Sequence, residues 1–497
     1  MLKEPPAAPP AEQTAGSDLM AAGLRDVIEA LDRAGELQAV RGVDWNLELG
    51  AITEMKALRG GPALLFDAIK GYAEGYRVLT NVTNSPRRVA LLLGLPKQAN
   101  GIELVRSLRN RLTELQPHDP HYVDSADFRE QSRRGQDVDL FELPVPFWHE
   151  HDGGRYLSTA GSVITRDPEA GWVNAGTYRV QAHDARTAGL FVEPNHHAAL
   201  MLRRYWERGE PAPVAVAIGV QPGMLMASFL SIPWGVSEYG WAGGLMGRPV
   251  DVVTGEVTGL PIPASAEIVF EGFCPPPSEE ARTEGPFGET IGYYASGARM
   301  EPIIRVELVQ HRRDPILVGA PPLRPPASSS ATYLFRAANL WNSLELSGLP
   351  EIKGVWMMPS GSSSLLGVIS VKQRYAGHAL QVGTAALSSR SSGGGLGRFM
   401  IVVDDDIDPS DQEQVLWAVA TRCDPATDIQ VLDNWMSNHL DPLLPPEKRQ
   451  AGNFTSSRAV INACRPYHWM KDFPRPVGCS PELQAKILQD WPELFGS

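Results

Sequence analysis

The stretch Glu284-Gly285-Pro286-Phe287-Gly288-Glu289 constrains the chain most, because it sets two carboxylates five residues apart on a backbone that is neither helix nor regular strand. Pro286 removes a main-chain donor, and the two glycines weaken any regular element around it. It comes after an apolar strand, Ala266-Glu267-Ile268-Val269-Phe270-Glu271. Two readings stand: a loop presenting paired glutamates for chemistry, and a solvated turn.

With 497 residues the chain is long enough for about three domains, and 43% hydrophobic with 21% charged residues is ordinary for a globular protein. A net charge of −13 with scattered basic residues supplies no cationic footprint, so neither nucleic acid nor membrane is expected as a partner. Cys274, Cys423, Cys464 and Cys479 lie far apart without C-x-x-C spacing, which suggests cytosolic thiols rather than a disulfide framework or zinc site. Residues 1–17, rich in Pro and Ala, lack the apolar core of a signal peptide and read as the disordered tail of a cytoplasmic protein.

Ser17 is placed to cap a helix with Leu24, Val27, Ile28 and Leu31 on one face and Gly35 at its end. Strands at Ala63–Ile69 and Arg77–Val82, then a helix from Ser85-Pro86 through Leu95, make an opening α/β domain. From Phe141 the texture becomes β-rich: Tyr156–Thr165, Gly171–Gln181, Gly189–Val192, Val214–Gly219, Val250–Val257 and Ile268–Gly272 read as strands of a barrel, interrupted by a helix from about His196 to Arg208. Ile303–Val309 and Ile316–Gly319 read as a strand pair, and Pro321–Pro326 marks a boundary. Beyond it, helices at Thr332–Leu346, His378–Ser388 and Gln412–Thr421 alternate with strands at Ile352–Met358, Leu366–Val371 and Phe399–Val403, and the last thirty or so residues read as an extended arm.

Trp172-Val173-Asn174-Ala175-Gly176-Thr177-Tyr178-Arg179 offers an amide and a guanidinium five apart, which face opposite sides of an unbroken strand; Gly176 then marks a bulge. An arginine beside two glutamates holds one ionised by pairing, while crowding of like charges raises the pKa of the other, giving an acid usable near neutral pH. A surface ion pair is the plainer alternative. His196 and His197 open a helix as surface or capping residues, or as ligands. Glu238 follows Ser231-Ile232-Pro233-Trp234, and a mixed Asn, His and Glu set suits Mn²⁺ or Mg²⁺ better than zinc. Lys372 is either a point charge for a phosphate or a plain strand-end lysine. Asp404-Asp405-Asp406 and Asp408 read as favouring a helix N-terminus rather than binding Mg²⁺, and Ser388–Gly397 reads as a flexible loop.

Taken in order, these pieces resemble the UbiD family of prenylated-FMN-dependent decarboxylases from about Asp18 to about Pro476. The matching elements are Trp172-Val173-Asn174 with Tyr178-Arg179, Gly235–Glu238, Glu267–Gly272, Glu284–Glu289, Lys372-Gln373 and Val402–Asp408 before Val415–Ala418. The resemblance implies an α/β (α+β) protein: an N-terminal α/β domain over 18–120 completed by 302–320, a split β-barrel flavin-binding domain over 121–301, a linker and helix over 321–348, an α/β oligomerisation domain over 349–465 and an arm over 466–497. It implies reversible, non-oxidative decarboxylation of an aromatic, heteroaromatic or α,β-unsaturated acid, releasing CO₂, by Arg179, Glu284 and Glu289. Arg179 would orient the substrate carboxylate, Glu284 would tie Arg179 in place and Glu289 would deliver the proton.

By the same resemblance, prenylated FMN would touch Trp172, Asn174, Thr177, Tyr178, Arg179, Ser231, Pro233, Glu238 and Lys372. Mn²⁺ (or Mg²⁺) would sit on Asn174, Glu238 and a histidine, and K⁺ on the Trp172 carbonyl and Glu238. Counting forward from Gly189 selects His196, which is preferred; counting back from the helix selects His197. A flavin prenyltransferase would supply the cofactor, and the protein would be a homodimer or a hexamer of dimers. Two rivals remain, a flavin-binding or maturation protein without turnover and a flavin-linked oxidoreductase; the second is weakened by the lack of Gly-x-Gly-x-x-Gly after a strand.

Overall fold

Leu24, Val27, Ala30 and Leu31 are the buried stripe of helix α1 (Leu24–Arg33), so apolar periodicity sets the first element, which stops before Gly35. The computed structural model describes residues 19–95, 101–230, 232–327, 332–389 and 397–495. The expected tail, the Ser17 cap and most of Ser388–Gly397 lie outside them; within them α1 begins after Gly23, whose N–H is bonded by Asp26. Strand β1 (Leu37–Arg41), helix α2 (Glu48–Leu58), strands β2 (Ala63–Asp67) and β3 (Arg77–Thr80), and helices α3 (Pro86–Leu92) and α4 (Gly101–Thr113) follow. β1 runs parallel to β2, and β3 antiparallel to it.

The middle of the chain contributes β4 (His121–Tyr122), β5 (Gln131–Arg134), β6 (Arg155–Ser158), β7 (Gly161–Arg166), β8 (Val173–Gly176), β9 (Val180–Ala182) and β10 (Thr187–Leu190). Helix α5 (His197–Glu207), β11 (Ala212–Ile218), helices α6 (Pro222–Phe229) and α7 (Glu238–Met246), β12 (Asp251–Thr254), β13 (Pro261–Pro263), β14 (Ile268–Cys274), β15 (Ala281–Glu284) and β16 (Arg299–His311) complete it. The main sheet runs β6-β9-β10-β16-β14-β11-β7-β8, antiparallel throughout, with β5 and β15 also on β16. β16 pairs with β10 through Ile303–Arg305 and with β14 from Arg305 to His311, so one long strand joins the halves of a curled, half-open barrel.

Several expectations need correcting. Tyr156–Thr165 is two strands, not one, because the chain turns between Ser158 and Gly161 and sends β6 and β7 to distant places in the sheet. Ile303–Val309 and Ile316–Gly319 do not pair: β16 stays in the barrel, whereas β17 (Ile316–Gly319) crosses to lie parallel to β3 and completes the first sheet. Helices α6 and α7 carry no amphipathic signal, one being apolar all round and the other holding three glycines, which is why periodicity does not reveal them.

The last region follows expectation closely: helix α8 (Thr332–Leu346), β18 (Ile352–Met357), β19 (Leu366–Val371), helix α9 (His378–Ser388), β20 (Phe399–Asp404) and helix α10 (Gln412–Arg422). The structure adds β21 (Ile429–Met436), helix α11 (Pro446–Gln450) and β22 (Thr455–Ala463), giving a sheet ordered β18-β19-β20-β22-β21. β21 escapes the sequence pattern because it is an edge strand with most side chains exposed. The arm is not simply extended, since helices α12 (Pro481–Asp490) and α13 (Pro492–Phe495) end it. Asp404 and Asp406 are bound by Arg422 and Arg465, and the N-terminus of α10 is capped instead by Asp411. The four cysteines are free thiols. Among the described residues, no helix is long and apolar enough to cross a membrane.

Trp148, 1% exposed, packs in the apolar cluster shared by β2, β3 and the barrel strands. Trp148→Ala is expected to cost about 3–5 kcal/mol, read as a lower denaturant midpoint.

Candidate active site

The main chain breaks between β8 and β9. Gly176 ends β8, the Thr177 N–H bonds the Ser228 carbonyl at 2.8 Å instead of a strand neighbour, and pairing resumes at Val180. This is an interruption of the strand rather than the expected bulge. A Cβ on Gly176 would come within 2.6 Å of the Tyr178 hydroxyl, so only glycine lets Tyr178 fold back and donate to Asn174 Oδ1 at 3.2 Å. The break sends Asn174 and Arg179 to separate clusters.

Arg179 meets both glutamates. Its Nε and Nη2 hold the two oxygens of Glu284 at 2.8 and 2.9 Å, and Nη1 holds Glu289 Oε1 at 2.8 Å. Tyr156 adds a hydrogen bond to Glu284 at 2.9 Å, and the Ser296 hydroxyl donates to Glu289 at 2.6 Å. The guanidinium carbon lies 3.6 Å from the centre of the Phe191 ring and 5.3 Å from that of Phe287, which itself packs on Tyr156 at 3.9 Å. Burial opposes the charge of Arg179, but the hydrogen bonds and charges of the two carboxylates outweigh it and raise its pKa.

The loop that carries the glutamates is held from two sides. Gln181 accepts from the Gly285 N–H at 3.1 Å and donates to the Gly153 carbonyl at 3.1 Å. Gly153 in turn donates to the Pro286 carbonyl at 2.6 Å, an approach so close that a Cβ there would lie 2.0 Å from the Gly285 oxygen. The two carboxylates therefore differ in surroundings. Glu284 is bidentate on Arg179 and fully buried, whereas Glu289 has one bond to Arg179 and a raised pKa. Burial is the main cause of that rise, opposed by Arg179 and Ser296; like-charge crowding, the expected cause, is secondary and comes from Glu193.

On the other side of the break, Asn174 Nδ2 donates to Glu238 Oε1 at 2.7 Å, and Glu238 Oε2 accepts from the Ala175 N–H at 3.2 Å. Glu238 opens α7, with Ser237 as its cap, so the helix N-terminus favours the buried carboxylate. Of the two histidines, His197 faces this pair: its Nδ1 is 3.9 Å from Glu238 Oε1, and its ring packs against Trp172 and Trp234. His196, selected by the forward count, packs on Tyr178 instead, and burial lowers its pKa, opposed by Glu193. As N-cap, His196 precedes the first turn of α5, and that offset separates the directions of the two neighbours.

Thr177 Oγ1 and Trp172 Nε1 are buried without a hydrogen-bond partner among the described residues, a donor set suited to a polar ligand such as a flavin phosphate or ribityl chain. Pro233 is exposed in the turn that follows Ser231, which lies outside the described residues. Lys372 is exposed at the end of β19, its N–H bonded to the Glu351 carbonyl. The sequence did not single out Tyr156, Gln181, Phe191 or Ser296. Gln181 alone had a signal, its i+2 spacing from Arg179.

Comparison with known proteins agrees along most of the chain. Residues 28–108, 121–325 and 330–463 match, respectively, the N-terminal, Rift-related and C-terminal domains of the 3-octaprenyl-4-hydroxybenzoate carboxy-lyase (UbiD) family. The chain is 34% identical to the phenolic acid decarboxylase of Streptomyces sp. (strain D7), over 89% of its own length and 92% of the relative's. It is 33% identical to the pyrrole-2-carboxylic acid decarboxylase of Pseudomonas aeruginosa, over 89% and 91%. Its fold superposes with a TM-score of 0.81 on the UbiD-class enzyme HmfF from Pelotomaculum thermopropionicum in complex with FMN, at 29% identity, covering 94% of this chain and 100% of that one.

Glu284→Gln leaves the buried Arg179 charge without its bidentate carboxylate. The variant is expected to lose about 3–5 kcal/mol of stability in chemical denaturation.

Proposed function

Because this chain belongs to the UbiD family of prenylated-FMN-dependent decarboxylases, and is a carboxy-lyase, we propose that its barrel site reversibly and non-oxidatively decarboxylates an aromatic or heteroaromatic acid with Glu289 as the proton donor. The asymmetry of the two glutamates on Arg179 carries this reading: one is locked as a counter-ion, the other is buried and tuned toward its protonated form. The phenolic acid and pyrrole-2-carboxylic acid decarboxylases among its relatives support the substrate class.

Glu284 fixes the plane of the guanidinium, and Arg179 Nη1 keeps a second N–H with which to orient a substrate carboxylate. Phe191, Phe287 and Tyr156 wall the cluster and keep water from the reacting carbon. When bound, the prenylated flavin supplies the electron-accepting partner that loss of CO₂ requires. Glu289 gives its proton to the carbon that loses CO₂, and the carboxylate so formed is stabilised by Arg179 and Ser296 until solvent reprotonates it.

Mn²⁺ or Mg²⁺ fits Asn174, Glu238 and His197, with His197 in place of His196 because it stands beside Glu238. K⁺ would take the Trp172 carbonyl and Glu238, Thr177 and Tyr178 would line the flavin, and Lys372, whose ammonium bonds no other described residue, would supply a cation for the phosphate. The flavin would come from a separate prenyltransferase, and the uncovered edge of β21, with Val431 and Met436 exposed, supports self-association into dimers or hexamers of dimers.

Protein co-produced with a flavin prenyltransferase should carry modified FMN and Mn²⁺ by mass spectrometry and metal analysis; a well-folded sample with no flavin affinity would refute the reading. His197→Ala should lower metal and flavin occupancy more than His196→Ala. Glu289→Gln should keep the flavin and lose about 10²–10⁴ in kcat, with slower entry of solvent deuterium into product. Activity requires protonated Glu289, so kcat should fall as pH rises through its raised pKa. Ser296→Ala removes a bond that favours the carboxylate, which raises that pKa further and moves the alkaline limb to higher pH.

A further inference from the structure

Glu289 begins a loop with little internal support. Its N–H bonds the Tyr293 carbonyl at 3.0 Å, and the Gly292 N–H returns to the Glu289 carbonyl at 2.8 Å. Two other carbonyls of the loop, Thr290 and Ala295, are bound by side chains of the C-terminal region. The Ser362 hydroxyl donates to Thr290, and Arg449 Nη1 donates to Ala295 at 2.8 Å. One carbonyl directly follows the acid; the other directly precedes Ser296, whose hydroxyl holds that acid.

Both donors are rigidly mounted. Arg449, on α11, also binds the carbonyls of Leu444 at 3.0 Å, Asp441 at 2.6 Å and His439. Asp441 is buried and paired with Arg398 at 2.5 Å and with the Ser437 hydroxyl at 2.8 Å. Ser362 and the following Ser363 both adopt the left-handed region, at φ +58°, a conformation costly for serine and kept only where the surroundings over-determine it. The C-terminal region also meets the chain between β10 and α5, where His439 Nε2 stands 2.5 Å from Glu193 Oε1.

We propose that Arg449 and Ser362 are positioning residues for Glu289, clamping its loop to the C-terminal domain so that docking of that domain seats the Ser296 hydroxyl on the acid. The inference rests on Glu289 being the proton donor. Arg179 makes a single bond to Glu289, so the direction of the carboxyl is set by its loop, and an error of about 1 Å in such a group costs about 10²-fold. Neither residue touches the reacting atoms; both act through main-chain carbonyls.

The test uses Arg449→Met and Ser362→Ala in the holoenzyme. Each should lower kcat by about ten- to a hundredfold with KM nearly unchanged, and move the alkaline limb of the pH profile in the direction of Ser296→Ala. Arg449→Lys, which keeps a donor, should recover part of the loss, and Arg449→Met should add little to the limb shift of Ser296→Ala. An independent readout needs no cofactor: hydrogen exchange of the amides between Glu289 and Gly297 in flavin-free protein should quicken in both variants. Unchanged exchange together with an unmoved limb overturns the clamp, as does lost stability with an unmoved limb. If Arg449→Met does not fold, Ser362→Ala, on a separate element, carries the same test. A wild-type holoenzyme that decarboxylates nothing overturns the function proposed above instead, and the exchange measurement still judges the clamp.

Discussion

The cluster of the two loop glutamates depends on the buried pairing of Arg179 with Glu284. Removing a guanidinium and a carboxylate from water costs several kcal/mol per ion, and only close geometry with further hydrogen bonds offsets it. Here the pairing is bidentate, Tyr156 satisfies the same carboxylate, and Phe191 covers the guanidinium face. The result is a cation with a fixed plane in a region that excludes solvent. Glu289 is then held against it by a single bond without reorganising it.

The two sides of the strand break are prepared differently. On the acid side each group is committed within the chain itself, through Arg179, Ser296, Gln181 and the tight contact between Gly153 and Gly285. On the opposite side Asn174 and Glu238 bond each other, while Thr177 Oγ1 and Trp172 Nε1 hold no partner among the described residues. Three residues of irregular chain separate these environments, so the carboxylate with the raised pKa and the unpartnered donors are neighbours without sharing hydrogen bonds.

Much of this was legible in the sequence, for definable reasons. β19, α8 and α9 were read to the residue because their patterns are strong. The paired glutamates stood out because Gly-Pro-x-Gly between carboxylates suits no regular element. What stayed hidden depends on contacts distant in sequence. Tyr156 and Ser296 look like ordinary strand and loop residues until the fold sets them against Glu284 and Glu289. The choice between His196 and His197 turns on where α5 begins, a boundary that counting from either side leaves one residue uncertain. The origin of the Glu289 shift is likewise hidden, since composition shows charges but not how deeply they lie.

β15 is a four-residue strand whose only paired neighbour among the described residues is β16, and Glu284 is its last residue, paired with Arg299 at the first position of β16. A slip of one residue there would turn the carboxylate to the opposite face of the sheet and leave Thr283 where Glu284 belongs. Most barrel strands lie between two partners, which cross-check their alignment. The strand that delivers the counter-ion of Arg179 lacks that second check, so its registration falls to the side chains at its end, and a chain that mispaired there could fold its barrel correctly and still leave the buried guanidinium without its bidentate carboxylate.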